Sequence, residues 1–348
     1  MSDDAGVAET DLLGARALRE WLTGEREAYS RVFLVESGAA VEAVQKAASP
    51  DDVVLLPPGS APDGGPAAVA HYTGELREVG DELFFGERGV ELQDYVAAAF
   101  VQIIGPTAIR FFDAGSWRAF LDDADLARRT GVFPRALIDP RVLLADRTAL
   151  VEPGEVVTPS AVRVAADGSV SVGVQGEVIG TVDDLQAVLA TPLPRSAALG
   201  GVAPRHEIAA EFARLHGIAR YLNATDLMKM LRLTNGDARI AGFGWAPIDD
   251  QLADAEPLTA DPFLLDTADG FVLADTRTLR RQLLTPLTAT VVAATQTSST
   301  LELAAERLAR DLETPVSHAS VLCLEAVAAL GVHFGERTGS EPRKELNG

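Results

Sequence analysis

Apolar residues recur at helical spacing over residues 12–23, with Leu13, Ala17, Leu18 and Trp21 on one face. Residues 31–35 form a short apolar run of strand type, and 39–48 form a helical stretch closed by Ser49-Pro50. Residues 52–56 repeat the strand pattern and stop at Pro57-Pro58-Gly59. This β-α-β order predicts a small α/β unit. Residues 59–66, rich in Gly, Pro and Ala, read as a loop. Helices are predicted over 92–104 and 116–129, with a short strand at 108–112 between them. Polar, acidic residues 1–10 and the aperiodic stretch 335–348 are predicted to be disordered.

The pattern changes beyond residue 134. Short apolar segments at 142–144, 161–164, 170–174 and 178–180 are separated by turn residues, and Asp167-Gly168 marks a hairpin. A short helix over 183–189 follows Thr181 and is closed by Pro192 and Pro194, and 197–202 read as a linker. Residues 205–233 are strongly helical with a break near Gly217, Asn235-Gly236-Asp237 ends that region, and 242–257 read as a loop. The predicted class is α+β. It comprises a small N-terminal α/β region (1–131), a middle mixed hairpin and helical region (132–258), a C-terminal module (259–336) and a flexible tail (337–348).

That module has its own order. Residues 263–266 and 271–274 are strands joined by a tight turn at Ala268-Asp269-Gly270, where Gly supplies positive φ. Residues 278–284 alternate as a third strand, with Leu279 and Leu283 on one face and Arg280 and Gln282 on the other. Thr285-Pro286 opens a helix to residue 295. Residues 297–300 supply caps for a helix over 301–312. A third helix over 317–330, with Val321, Leu324, Val327, Ala328 and Leu330 inward, ends at the C′ residue Gly331. Three strands followed by a helix-turn-helix predict a winged helix.

Winged helices commonly read DNA, and a DNA reader places Arg, Lys, Asn or Gln on its recognition helix. Residues 317–330 carry none of these; their one charged side chain is Glu325, with His318, Ser317 and Ser320 as the other polar groups. The stretches Asp269-Gly270-Phe271-Val272-Leu273, Thr300-Leu301-Glu302-Leu303-Ala304 leading into Leu308, and Val321 through Gly331 together resemble the RiPP recognition element. This is the PqqD-like domain that binds leader peptides of ribosomally made, modified peptides. The sequence departs from that family in lacking an Asn-x-Thr-like step before the first helix. The resemblance implies that an extended leader peptide adds a strand to the sheet edge, with side-chain pockets between the third strand and third helix. Carried onto this chain, the peptide-binding residues are Arg277, Thr278, Leu279, Arg280, Arg281, Gln282 and Leu283 on the strand. Ser317, Ser320, Val321, Leu324 and Val327 form the helical wall. Charges on an edge strand also guard against aggregation, so the arginines have two readings: edge protection, or pairing with acidic leader residues. The acidic, Ala-rich layout with the element last is similar to the recognition proteins of daptide pathways. That likeness implies as partners a precursor peptide and separate tailoring enzymes: an oxidative decarboxylase, an aminotransferase and a methyltransferase.

Charge sharpens this picture. The chain carries 51 acidic and 30 basic residues, a formal charge of -21. Such a field repels nucleic acid and anionic membrane surfaces, so neither is expected as a partner. One cysteine, Cys323, excludes an intramolecular disulfide and fits a reducing compartment. No secretory signal and no apolar run of about 20 residues occurs, and a cytoplasmic location is expected.

Chemistry is sparse. The sequence has no dinucleotide fingerprint, P-loop, nucleophile elbow, Cys-x-x-Cys or His-Glu-x-x-His. His206-Glu207 with Glu211 and His216 comes nearest to a metal set but lacks i, i+4 spacing, and reads as a solvated helix face. Asp183-Asp184 and Asp249-Asp250 read as cap or turn residues. Trp21, Trp117 and Trp245 read as core or interface anchors, and Cys323 as an apolar filler. No catalytic residue, metal or cofactor is expected. The alternative is a peptide-maturation enzyme whose site follows no local signature.

Overall fold

The computed structural model of the chain describes residues 2–60, 64–215, 217–248 and 250–337. His216, Asp249, Met1, positions 61–63 of the 59–66 loop and the tail beyond 337 lie outside the described residues. Two compact units divide the chain. The first comprises residues 1–121 and 139–215, and the second 122–138 and 216–348.

The chain opens with α1 (Ser2–Thr23), followed by β1 (Arg31–Val35), α2 (Val41–Ala47), β2 (Asp52–Leu56) and β3 (Ala68–His71). Next come β4 (Thr73–Gly74), β5 (Glu82–Phe85), β6 (Arg88–Asp94), β7 (Thr107–Arg110), α3 (Ala114–Thr130) and α4 (Arg135–Ile138). Then follow β8 (Val142–Leu144), α5 (Arg147–Val151), β9 (Val156–Val157), β10 (Ala161–Val164), β11 (Ser169–Val172) and β12 (Val178–Thr181). The first unit ends with α6 (Leu185–Ala190), β13 (Leu193–Pro194) and α7 (Arg205–Arg214). Its larger sheet has the order β12-β11-β10-β1-β2-β3, with β10, β1, β2 and β3 parallel. A second sheet has the order β4-β5-β6-β7-β8.

Both faces of the larger sheet are covered, which is why β1 and β2 read as unbroken apolar runs. Val32, Leu34, Val53 and Leu55 face α1, whereas Phe33, Val35, Val54 and Leu56 face α2 and α6. Helix α1 touches β1, β2, β3 and β10 of one sheet and β5 and β8 of the other, so it lies between them. Ala17, Leu18, Trp21 and Leu22 are buried there, and Trp21 Nε1 donates to the Val162 carbonyl at 3.1 Å. Tyr95, Phe111, Trp117 and Phe120 pack on one another on the other sheet's far side, edge-on or tilted except for the stacked Trp117–Phe120 pair.

Several expectations need correction. Residues 2–10 belong to α1, so the opening is helical. The segment 92–104 is not a helix: Leu92 ends in β6, one 3-10 turn spans Ala97–Ala99, and Phe100 and Ile104 are 86% and 78% exposed. Its bulky residues have helical spacing but no surface to bury them, and pairing of β6 with β7 takes Leu92 into the sheet. Residues 197–202 are no free linker, because the 3-10 turn Arg195–Leu199 buries Ala197 and Leu199. The boundary at residue 131 cuts one sheet, since β10 pairs with β1.

The second unit contains α4 and α8 (Ile218–Leu231), then β14 (Ala238–Ile240), β15 (Phe263–Thr267), β16 (Gly270–Ala274) and β17 (Arg281–Leu284). These strands form an antiparallel meander in the order β14-β15-β16-β17. Helices α9 (Pro286–Gln296), α10 (Leu301–Asp311) and α11 (Val316–Leu330) complete it. Thus the strand and helix order expected within the 259–336 module is present, and β14 adds an unforeseen fourth strand. Caps fall where their chemistry places them: Thr285 accepts from Thr288 N, Thr300 from Leu303 N, and Gly331 is left-handed at φ 66°.

Candidate peptide-binding edge

Among the described residues strand β17 pairs with β16 alone, which leaves its other edge open. The register joins Phe271 to Leu284, Val272 to Leu283, Leu273 to Gln282 and Ala274 to Arg281. Asp275 N donates to Arg280 O at 3.0 Å, which makes that pair hydrogen-bonded. Antiparallel ladders alternate, so the amides and carbonyls of Gln282 and Leu284 point to β16. Those of Arg281 and Leu283 point outward.

Side chains alternate as well. Leu284 joins Phe271, Leu264 and Leu273 in the cluster beneath α9, α10 and α11. Gln282 shares that helix-side face yet is exposed, so the helices leave the end of the sheet uncovered there. Arg281 and Leu283 face the opposite way, with Val272 and Ala274, and Leu283 is 69% exposed.

The predicted third strand starts too early. Residues 277–280 belong to a turn, and Leu279 adopts left-handed backbone at φ 58°, so it shares no strand face with Leu283. Asp275 builds this turn: its carboxylate accepts from Arg277 N, Thr278 N and the Thr278 hydroxyl. Burial pulls the Asp275 carboxyl upward, but these donors and the Arg277 charge outweigh it and hold the group below its usual range. The turn projects Arg277, Thr278, Leu279 and Arg280 into solvent. Arg280 and Arg281 make no ion pair among the described residues.

Helix α11 is rotated from the expected phase. Ala319, Cys323 and Ala326 are its buried residues. Val321 and Leu324 are 50% and 49% exposed, Ser317 and Ala328 are exposed, and Ser320, Val327 and Leu330 are half-buried. The small side chains let α11 approach α9 and α10 closely, and the larger ones form an apolar stripe facing outward. Helix α9 touches both β17 and α11, and its Leu287 is also half exposed. Burial pushes the Cys323 thiol up, against a smaller opposing effect of the Thr295 hydroxyl.

The other singled-out residues do not converge. His206 and Glu207 are exposed on α7, and Glu211 pairs with Arg214. Asp183 and Asp184 are exposed in a 3-10 turn. Among the described residues no three His, Cys, Asp or Glu side chains group as a metal would need, and no helix is long and apolar enough to cross a membrane. Sequence reading missed the buried charges, Asp146 and Arg220 among them. Asp146 lies in the first unit. Arg220 lies in the second, where it donates to the carbonyls of Leu258, Asp261 and Pro262 and stacks on Phe263. Comparison with protein-family models, curated proteins and solved structures finds no match to this chain.

Proposed function

We propose that this protein is a non-catalytic recognition protein whose C-terminal module is a winged-helix, PqqD-like clamp. It binds the leader of a ribosomally synthesised precursor as a strand added to β17. The bound precursor is then presented to tailoring enzymes, in the manner of a daptide-type pathway with its oxidative decarboxylase, aminotransferase and methyltransferase. Tethering the leader makes delivery of the rest of the peptide nearly intramolecular. The observation that carries the reading is the open edge of β17, with the main-chain groups of Arg281 and Leu283 paired by no strand among the described residues. The exposed apolar side chains of Leu283, Val321 and Leu324 and the unpaired Arg280 and Arg281 lie in the same unit.

Magnitudes say what the edge can do alone. Two residues offer four main-chain hydrogen bonds, at about 0.5–1.5 kcal/mol each a total of roughly 2–6 kcal/mol. Micromolar binding needs about 8 kcal/mol, so side chains must supply the rest.

Fluorescence polarisation with labelled leader peptides from neighbouring precursor genes tests the proposal. Saturable, near-micromolar binding is expected. Leu283→Pro deletes an outward amide without touching the β16 ladder, and should weaken binding well beyond Leu283→Ala. A folded wild-type protein that binds no such leader, or a proline variant that binds as tightly as the alanine one, would sink the strand-addition reading.

A further inference from the structure

The alternation of β17 also constrains what the added strand must look like. A strand beside Arg281 and Leu283 places its neighbouring residues on the same face as those side chains, in either direction of pairing. That face looks away from the three helices, and on it a guanidinium with no carboxylate partner among the described residues sits two residues from an aliphatic side chain that is 69% exposed. The residue between them on the added strand lies beside Gln282 and turns to the helix side.

We infer that the ligand is a peptide carrying a carboxylate and a bulky aliphatic side chain two residues apart, the carboxylate beside Arg281 and the aliphatic beside Leu283. The inference rests on the strand-addition reading. Charge complementarity supports the first half of the pair: in a chain of net charge -21, Arg277, Arg280 and Arg281 fall within five residues and edge an open strand. The exposed Leu283 supports the second. The spacing of two follows from the strand period. A spacing of one would send the two groups to opposite faces and leave one of them over the wrong side of the sheet. Pairing direction sets the order. An antiparallel guest meets Leu283 first and reads aliphatic-x-acidic from its N-terminus, whereas a parallel guest reads acidic-x-aliphatic.

The test uses the full chain and short capped, labelled Ser/Thr-rich peptides in polarisation titrations. Two probes hold Leu-Thr-Glu or Glu-Thr-Leu at the centre, a third holds the same residues as Leu-Glu-Thr, and the lysine versions hold Leu-Thr-Lys or Lys-Thr-Leu. One of the first two is expected to bind at least about tenfold tighter than the third, and which one it is reports the direction. Arg281→Glu should lose that probe and gain the lysine version. Arg281 is exposed, so the substitution leaves the core untouched. Equal affinity for the spacing-two and spacing-one probes would overturn the inference and leave strand addition standing. So would failure of every synthetic probe while a natural leader still binds. If neither probes nor leader bind, the inference falls together with the proposed function.

Discussion

Asp146 shows how one residue can tie three elements together at an electrostatic cost. It is buried in left-handed backbone at φ 52°, and its amide donates to Leu22 O at the end of α1. Its carboxylate accepts from Val174 N beyond β11. Burial raises its pKa from 3.8 to about 7, against the amides of Val174 and Gln175 and the charges of Arg110 and Arg163. The folded value lies above the unfolded one, so the folded state binds the extra proton between about pH 4 and 7. Stability from this group is therefore present at low pH and is lost as pH rises through 7. From pH 5 to pH 8 the loss is about 3 kcal/mol by linkage. Asp146→Asn should flatten that slope, gaining on wild type as pH rises, and urea midpoints at four pH values between 5 and 8 read it directly. Parallel profiles for the two proteins would refute the assignment. Gly173 belongs to the same arrangement: at φ 66° it has no Cβ to collide with the Asp146 carboxylate, so Gly173→Ala should destabilise at every pH.

At the scale of elements, α1 is the keystone of the first unit, because two sheets pack on it from opposite sides. Trp21→Ala removes its largest buried ring and the bond to Val162 O, and should cost about 3–5 kcal/mol in a urea titration. A cost below about 1 kcal/mol would mean the sheets do not depend on the helix. This helix was legible in the sequence, as were β1, β2 and β10, because residues buried on one or both faces leave a run or a period that chain neighbours cannot imitate. Other elements left no such mark. The spacing of Leu92, Val96 and Phe100 imitates a helix, but only long-range pairing shows that Leu92 is in a strand and Phe100 in solvent. Helix α11 is apolar nearly all round, so its sequence carries no phase, and the small residues Ala319, Cys323 and Ala326 rather than Val321 and Leu324 turned out to face inward. Within the candidate site, Leu279 gave no hint of its turn, since left-handed backbone is written in sequence chiefly by Gly and Asn. The start of β17 at Arg281 followed from tertiary pairing alone.

For the whole molecule the decisive quantity is charge. A net charge of -21 should repel an acidic peptide, while Arg277, Arg280 and Arg281 should hold it once it arrives. Salt separates the two effects because they act over different distances. The screening length is about 30 Å at 0.01 M salt, about 8 Å at 0.15 M and about 3 Å at 1 M. Between the first two the repulsion of the bulk charge fades while an ion pair in contact survives, so the association rate of an acidic probe should rise. Toward 1 M the ion pair itself weakens, and affinity should fall. A lysine-bearing probe should behave differently at the low end, associating fastest in the least salt and slowing throughout. Stopped-flow association measured across this range with both probes resolves the curves. A steady decline for the acidic probe from the lowest salt would show that the local arginines outweigh the bulk field even at long range. An affinity indifferent to salt between 0.15 M and 1 M would remove the ion pair at Arg281 from the account, leaving the aliphatic contact with Leu283 and the β17 backbone as the whole of recognition.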